Sequence, residues 1–340
     1  MNRFLALPPA DRIQAFAQAG AALGLSATSV AKDFWVCFTL RELFADLKFG
    51  PHLTFKGGTS LSKAWGLIDR LSEDIDLTVD HQAIGIIADR EPAFASSQKE
   101  RQRRITAIKD ACREAVHQHI ATALTDRFAN VLGKRGWSLS ADQDDPDGQT
   151  LLFAYPDTTD SDIAGYLKPV VKLEFGARGE PWPAELRSIR SLVADQFPSL
   201  FDVPEIQVRA LRPERTFWEK VMLLHEERLR PGDRRVRHAM ARHYYDVWRL
   251  IESGNAAAAV ADVDLFNQVV AHRQLYFRHT WMDYETIERG SIQMLPAPSH
   301  LDDWRRDYQA MQGEMFVTTA PPFDEILAVV ERFQADFNTI

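Results

Sequence analysis

The chain has 340 residues, 45% of them hydrophobic and 26% charged, a composition expected of a soluble globular protein with one large core or two joined ones. Its net charge of -8 excludes a global positive field, so any contact with RNA or DNA must come from a local basic patch. Two cysteines, Cys37 and Cys112, exclude a disulfide scaffold and suit a reducing cytoplasm, while the absence of a leader-like N-terminus or a bilayer-length apolar stretch predicts a cytoplasmic protein without membrane contact.

Residues 9–47 read as two helices. Ile13, Phe16 and Ala17 mark the apolar face of the first, and Val30, Phe34, Trp35 and Phe38 that of the second. LTF at 53–55 is a short strand that ends at Gly57-Gly58. A helix from Thr59 to Leu67 follows, and DIDLTV at 74–79 is a second strand. From about 88 to 134 the pattern is helical again, polar and basic at first. ADQDDPDGQT is an acidic loop that fails the EF-hand template. LLFAY, KPVVKLEFG (168–176) and EIQVRAL read as three further strands. After Pro213 the chain reads as wholly helical, over 213–229, 239–252, 263–277 and 322–338. The expected class is therefore α+β: a mixed part over about 50–210, an N-terminal helical segment and a C-terminal helical part.

The densest chemistry lies in FKGGTSLSKAWGLIDRLSEDIDLTVD, residues 55–80. Residues i and i+2 of a strand share a face. Asp74 and Asp76 thus stand side by side while Ile75 and Leu77 face the core. Two carboxylates this close repel unless a cation sits between them, and hard oxygen ligands suit magnesium. Upstream, the Gly57-Gly58 turn lets backbone approach a ligand, and Thr59 and Ser60 open a helix whose N–H groups favour phosphate. The alternative is a solvated Asp pair beside an ordinary turn. The chain has neither a P-loop nor a dinucleotide-binding glycine motif.

GGTSL followed by RLSEDIDL resembles the first motif of the DNA polymerase β superfamily of nucleotidyltransferases, in the form found in the AbiEii toxin family of toxin–antitoxin and abortive-infection systems. PERTFWEKVMLLHEERL (213–229) resembles that family's lysine-bearing motif and RHYYDVWRL (242–250) its later aspartate motif. AKDFWVCFTLRELF near the start and GSIQMLPAPSHLDDWRRDYQAMQGEMF with PPFDEILAVVERF near the end extend the resemblance over nearly the whole chain.

The resemblance implies a polymerase β-like core with a mixed sheet at 1–210, carrying a helical insertion at about 88–134, and a helical bundle at 211–340 that completes the active site. It further implies an NTP substrate and Mg2+ (or Mn2+) on Asp74 and Asp76, with Glu174 as a third carboxylate. Gly57, Gly58, Thr59, Ser60 and Arg70 would hold the triphosphate. Lys220 would neutralise the leaving pyrophosphate, and Asp246 would hold Lys220 or take a proton from the acceptor. Read without it, Glu174 could be an edge-strand partner of Lys172, Lys220 a paired surface lysine on an amphipathic helix, and Asp246 a partner of Arg249 or Arg242.

RLRPGDRRVRHAMARH (228–243) lies between the lysine and aspartate motifs and is rich in arginine. Arg234, Arg235 and Arg237 are therefore candidate contacts for an RNA backbone. With the family resemblance, the expected reaction is NMP transfer to RNA, at the tRNA 3′ end, which would inhibit translation. The expected partner is a winged-helix antitoxin that acts on transcription. Transfer to a protein or a small molecule, and a sensor that binds NTP without turnover, are the alternatives.

Overall fold

The structure is a computed structural model and describes residues 1–45, 48–70, 74–156, 169–231, 236–312, 316 and 320–339. Two compact units divide the chain, residues 1–65 with 71–211 and residues 66–70 with 212–340.

In the first unit the described residues form seven strands, most of them short apolar and β-branched runs: β1 (Leu53–Lys56), β2 (Asp74–Val79), β3 (Ser138–Ala141), β4 (Thr150–Ala154), β5 (Val170–Gly176), β6 (Ala184–Ile189) and β7 (Ile206–Leu211). They make one sheet in the order β3-β4-β5-β2-β1-β7-β6. The pairs β2–β5 and β1–β7 are parallel and the other ladders antiparallel, so the sheet is mixed. The period-2 pattern shows directly. Ile75, Leu77, Val171, Leu173 and Phe175 are buried, while Asp74, Asp76, Lys172 and Glu174 alternate with them on the other, half-exposed face.

Helices α1 (Asn2–Leu5), α2 (Pro9–Leu23), α3 (Ala27–Ala45), α4 (Gly57–Lys63), α5 (Gln98–Glu114), α6 (Ala121–Leu132) and α7 (Leu192–Gln196) belong to this unit. An aromatic cluster holds α3 to the sheet: Trp35 stacks on Tyr155 at 5.7 Å and meets Phe153 edge-on at 5.9 Å. Asp33 of α3 pairs with Lys63 at 2.6 Å and accepts the Leu192 amide at 2.7 Å. These contacts fix the far end of α4, the helix that follows the glycine turn. The sequence reading carried α4 on to Leu67. It stops at Lys63, and Gly66 takes a left-handed φ of 63°.

The second unit is helical: α8 (Pro213–Arg228), α9 (Arg242–Glu252), α10 (Asn255–Ala261), α11 (Val263–Tyr276), α12 (Leu301–Gln312) and α13 (Phe323–Thr339). Trp218 of α8 is fully buried and packs on Phe217, Phe266 and Phe337. The expectation of an amphipathic α8 is corrected here. Arg215, Thr216, Lys220, His225 and Glu226 are buried as well as the apolar residues, so α8 is enclosed on most sides. The architecture is α+β, a mixed seven-stranded sheet with helices plus a helical C-terminal unit.

Candidate active site

In the first unit the register brings the carboxylates into a row. Asp76 of β2 lies opposite Glu174 of β5 on one side and Lys56 of β1 on the other, and Asp74 lies opposite Lys172. Directly opposed residues share a sheet face. The Glu174 carboxyl lies close enough to the Asp76 carboxyl to disfavour a charge on it. Burial pushes the Asp76 carboxyl up to about 7, reinforced by the charges of Glu174 and Asp74 and opposed by Lys56. Glu174 is 39% exposed and also pairs with Lys172 at 2.6 Å. The alternative reading of Glu174 as an edge-strand partner of Lys172 is met in its pairing but not in its place, because β5 lies between β4 and β2.

The glycine turn is built against this row. Gly57 has a φ of 76°, and a Cβ there would stand 1.9 Å from Asp76 Oδ2. A side chain is therefore excluded both by backbone conformation and by the carboxylate. Gly57→Ala should displace Asp76, lower stability by roughly 1–3 kcal/mol and reduce turnover. Denaturant unfolding with an activity assay checks this, and an alanine variant of wild-type stability and activity would contradict it. Gly58, Thr59 and Ser60 are buried in the first turn of α4. The Thr59 hydroxyl donates to the backbone carbonyl of Asp74, which ties α4 to β2. Ser60 Oγ is buried and has no hydrogen-bond partner among the described residues.

Among the described residues no three His, Cys, Asp or Glu side chains converge as a ready-made metal site. The donor set is nonetheless chemically suited to a divalent cation. It offers hard carboxylate oxygens, at least one raised toward neutrality by burial and by its neighbours, of the kind magnesium takes.

The second unit holds the other group. The Arg70 guanidinium forks onto Asp246, Nε to Oδ1 at 2.7 Å and Nη2 to Oδ2 at 2.8 Å, and Lys220 Nζ reaches Oδ2 at 2.8 Å. Asp246 is fully buried, and Arg70 and Lys220 are nearly so. Burial alone raises the Asp246 carboxyl, but the charges and hydrogen bonds of Arg70 and Lys220 outweigh it and hold the group below the usual carboxylate range. His243, 3.4 Å from Lys220 Nζ, is held well below its ordinary value, first by burial and then by Lys220 and Arg242. Arg249 does not pair with Asp246; it binds Asp69 at 3.0 Å and the Leu67 carbonyl at 2.9 Å, which anchors residues 66–70 to α9.

Of the arginines expected to meet RNA, Arg234 and Arg235 lie outside the described residues. Arg237 is exposed and pairs with Glu227. The sequence reading overlooked Lys56 and His243. The lysine directly before Gly57-Gly58 was the available signal for the first. Nothing local marks the second, which is recognised only through its neighbour Lys220, 23 residues earlier.

A family model described as the nucleotidyl transferase AbiEii toxin of type IV toxin–antitoxin systems matches residues 39–329. The solved structure of MenT4, a nucleotidyltransferase toxin from Mycobacterium tuberculosis H37Rv, aligns over 95% of this chain and 97% of its own, at 18% identity and a TM-score of 0.44. No curated protein matches.

Proposed function

Because the chain belongs to the AbiEii nucleotidyl transferase toxin family, we propose that it moves NMP from an NTP to the 3′ end of tRNA in the cytoplasm and so inhibits translation. The observation that supports the chemistry best is the carboxylate row on β2 and β5, facing a glycine turn that admits no side chain. Asp74, Asp76 and Glu174 would hold Mg2+ or Mn2+, which when bound activates the attacking hydroxyl and neutralises charge on the α-phosphate. The chain's own part is to orient and to bind. Backbone N–H groups of Gly57, Gly58 and Thr59 and the Ser60 hydroxyl, which has no partner among the described residues, would donate to phosphate oxygens. Lys56 supplies positive charge beside the row.

Lys220 is proposed, from the family's lysine motif, as the cation that neutralises the leaving pyrophosphate. Asp246 is assigned to positioning Lys220 and Arg70. A carboxyl held so acidic accepts protons poorly near neutral pH. Arg70, expected from sequence to touch phosphate, is instead read as part of that buried cluster. Arg234, Arg235 and Arg237 are proposed contacts to the RNA backbone. A type IV system implies an antitoxin, proposed to be a winged-helix protein acting on transcription.

Incubation of the protein with total tRNA, magnesium and each α-labelled NTP in turn tests this reading. Label on tRNA is the expected result. Label on protein, or NTP binding without transfer to any acceptor, would overturn the assignment of RNA as acceptor.

A further inference from the structure

The register that lines up the carboxylates also sets a cation among them. Lys56, the last residue of β1, lies opposite Asp76 and so shares its sheet face. The loop after β5 closes on the Lys56 ammonium. A Cβ at Gly179 would stand 3.2 Å from Lys56 Nζ and 2.9 Å from Thr78 Oγ1, so a side chain at 179 would crowd both groups. That loop is tied down along its length. The Ala177 carbonyl meets His81 Nε2, Arg178 pairs with Asp147 at 3.3 Å, and the Pro181 carbonyl accepts the Thr54 hydroxyl at 3.4 Å.

Lys56 is half-buried, yet its ammonium has no ion pair or hydrogen bond among the described residues. Its charge acts on the Asp76 carboxyl without a bond between them. A role as counter-charge accounts for its place opposite Asp76. It does not account for an ammonium left without an acceptor in a space that a glycine keeps open, because a partly desolvated charge without a hydrogen-bond partner is unfavourable. The surrounding face has no positive excess. Asp74, Asp76 and Glu174 stand against Lys56 and Lys172, Lys172 is taken up by Glu174 at 2.6 Å and Asp142 at 3.8 Å, and Glu180 adds a negative charge next to Gly179. A phosphate arriving alone would be repelled. The anion that suits Lys56 is one that brings its own divalent cation for the carboxylates, as a nucleoside triphosphate does.

We propose that Lys56 is a phosphate-binding residue of the transfer site, supplied by the sheet itself, whose ammonium donates to a triphosphate oxygen of NTP held on the carboxylate row. The inference rests on the reading of that row as the nucleotide site. Lys220 differs from it in that its ammonium is already bound to Asp246, at 2.8 Å. An ammonium is a compact charge with three rotatable donors, which suits a phosphate oxygen without demanding a fixed fork geometry.

The test is calorimetric titration of the full chain, without tRNA, with Mg2+ alone and then at saturating Mg2+ with each of the four NTPs, their diphosphates and their nucleosides. Lys56→Met should weaken NTP binding about 10- to 100-fold, the range of one lost hydrogen bond between charged groups, and leave nucleoside binding unchanged. Mg2+ alone should bind the variant at least as tightly as wild type, since a positive charge beside the carboxylates is gone. Gly179→Ala keeps the charge but displaces the ammonium, and should weaken NTP binding by a smaller factor in the same phosphate-dependent way. Unchanged NTP binding in Lys56→Met with tighter Mg2+ binding would show that Lys56 is only a counter-charge to Asp76, and the proposal would fail. An equal loss for nucleoside and NTP would overturn it too, since the effect would then not be on phosphate. If wild type binds no nucleotide with Mg2+, the reading of the row as the nucleotide site fails and Lys56 with it.

Discussion

Asp246→Ala should destabilise the helical unit by about 3–5 kcal/mol, because it removes the buried carboxylate that Arg70 and Lys220 share. Arg70 and Lys220 are both nearly inaccessible, and Asp246 receives the Arg70 fork and one Lys220 hydrogen bond. The cost arises from what stays behind and is not a measure of what the ion pairs contribute. Replacing all three together, as Arg70→Met, Lys220→Met and Asp246→Leu, should therefore recover much of the loss. The Asp246 carboxyl is depressed in the folded chain, so its contribution is fully present above the unfolded value near 4 and is lost as pH falls further. Acid unfolding of the wild type should accordingly begin earlier than that of the triple variant. Denaturant titration that follows each unit separately is the measurement, since two compact units need not unfold in one step. A loss below about 1 kcal/mol in Asp246→Ala would show that the cluster is wet or mobile, because exposed pairs contribute no more than that.

Asp76→Asn should do the opposite to stability while removing activity. The wild-type carboxyl is raised to about 7 by burial and by Glu174 and Asp74. For a raised group, the stabilising contribution is complete below the unfolded pKa near 4 and disappears as pH climbs through about 7. Above that, metal-free wild type carries an unfavourable charge that asparagine lacks. In chelator, Asp76→Asn should be more stable than wild type by about 1–3 kcal/mol at pH 8, after screening is allowed for, and by much less at pH 5. Magnesium should raise the melting temperature of wild type more than that of the variant. NMP transfer should fall by about 10³-fold or more, the scale expected when several kcal/mol of charge stabilisation are lost. An equal gain at pH 5 and pH 8 would show that the carboxyl is not raised in the folded protein.

The carboxylate row was largely legible in the sequence. DIDLTV fixes the strand, its alternation fixes the face, and the β2 strand spans the residues read from that motif, Asp74–Val79. Glu174 was legible as a strand residue, but that β5 runs parallel beside β2 was not. That pairing depends on a chain crossover of about a hundred residues, and local pattern does not encode it. Strand β6 was missed because Glu185, Leu186 and Arg187 offer no apolar alternation, and its pairing comes from β7 alone. The end of α4 and the fate of residues 66–70 were also hidden. These residues join a unit whose remaining sequence starts at Arg212, through Arg249 and Asp246. Arg70 illustrates the consequence. Its place just before the Asp pair suggested phosphate, while its guanidinium meets a carboxylate 176 positions away. The start of α5 is marked in the sequence by the S-x-x-E spacing, and Ser97 accepts the Glu100 amide there.

The most direct test of the carboxylate row as the transfer site compares wild type, Asp76→Asn and Glu174→Gln in one assay of α-labelled NTP with tRNA and magnesium. Each variant is first shown to be folded by circular dichroism and a cooperative melt. Labelled tRNA from wild type, with none from Asp76→Asn and a strongly reduced amount from Glu174→Gln, is the predicted result. Undiminished labelling by a folded Asp76→Asn protein would contradict the account, and the transfer chemistry would then have to lie elsewhere in the chain.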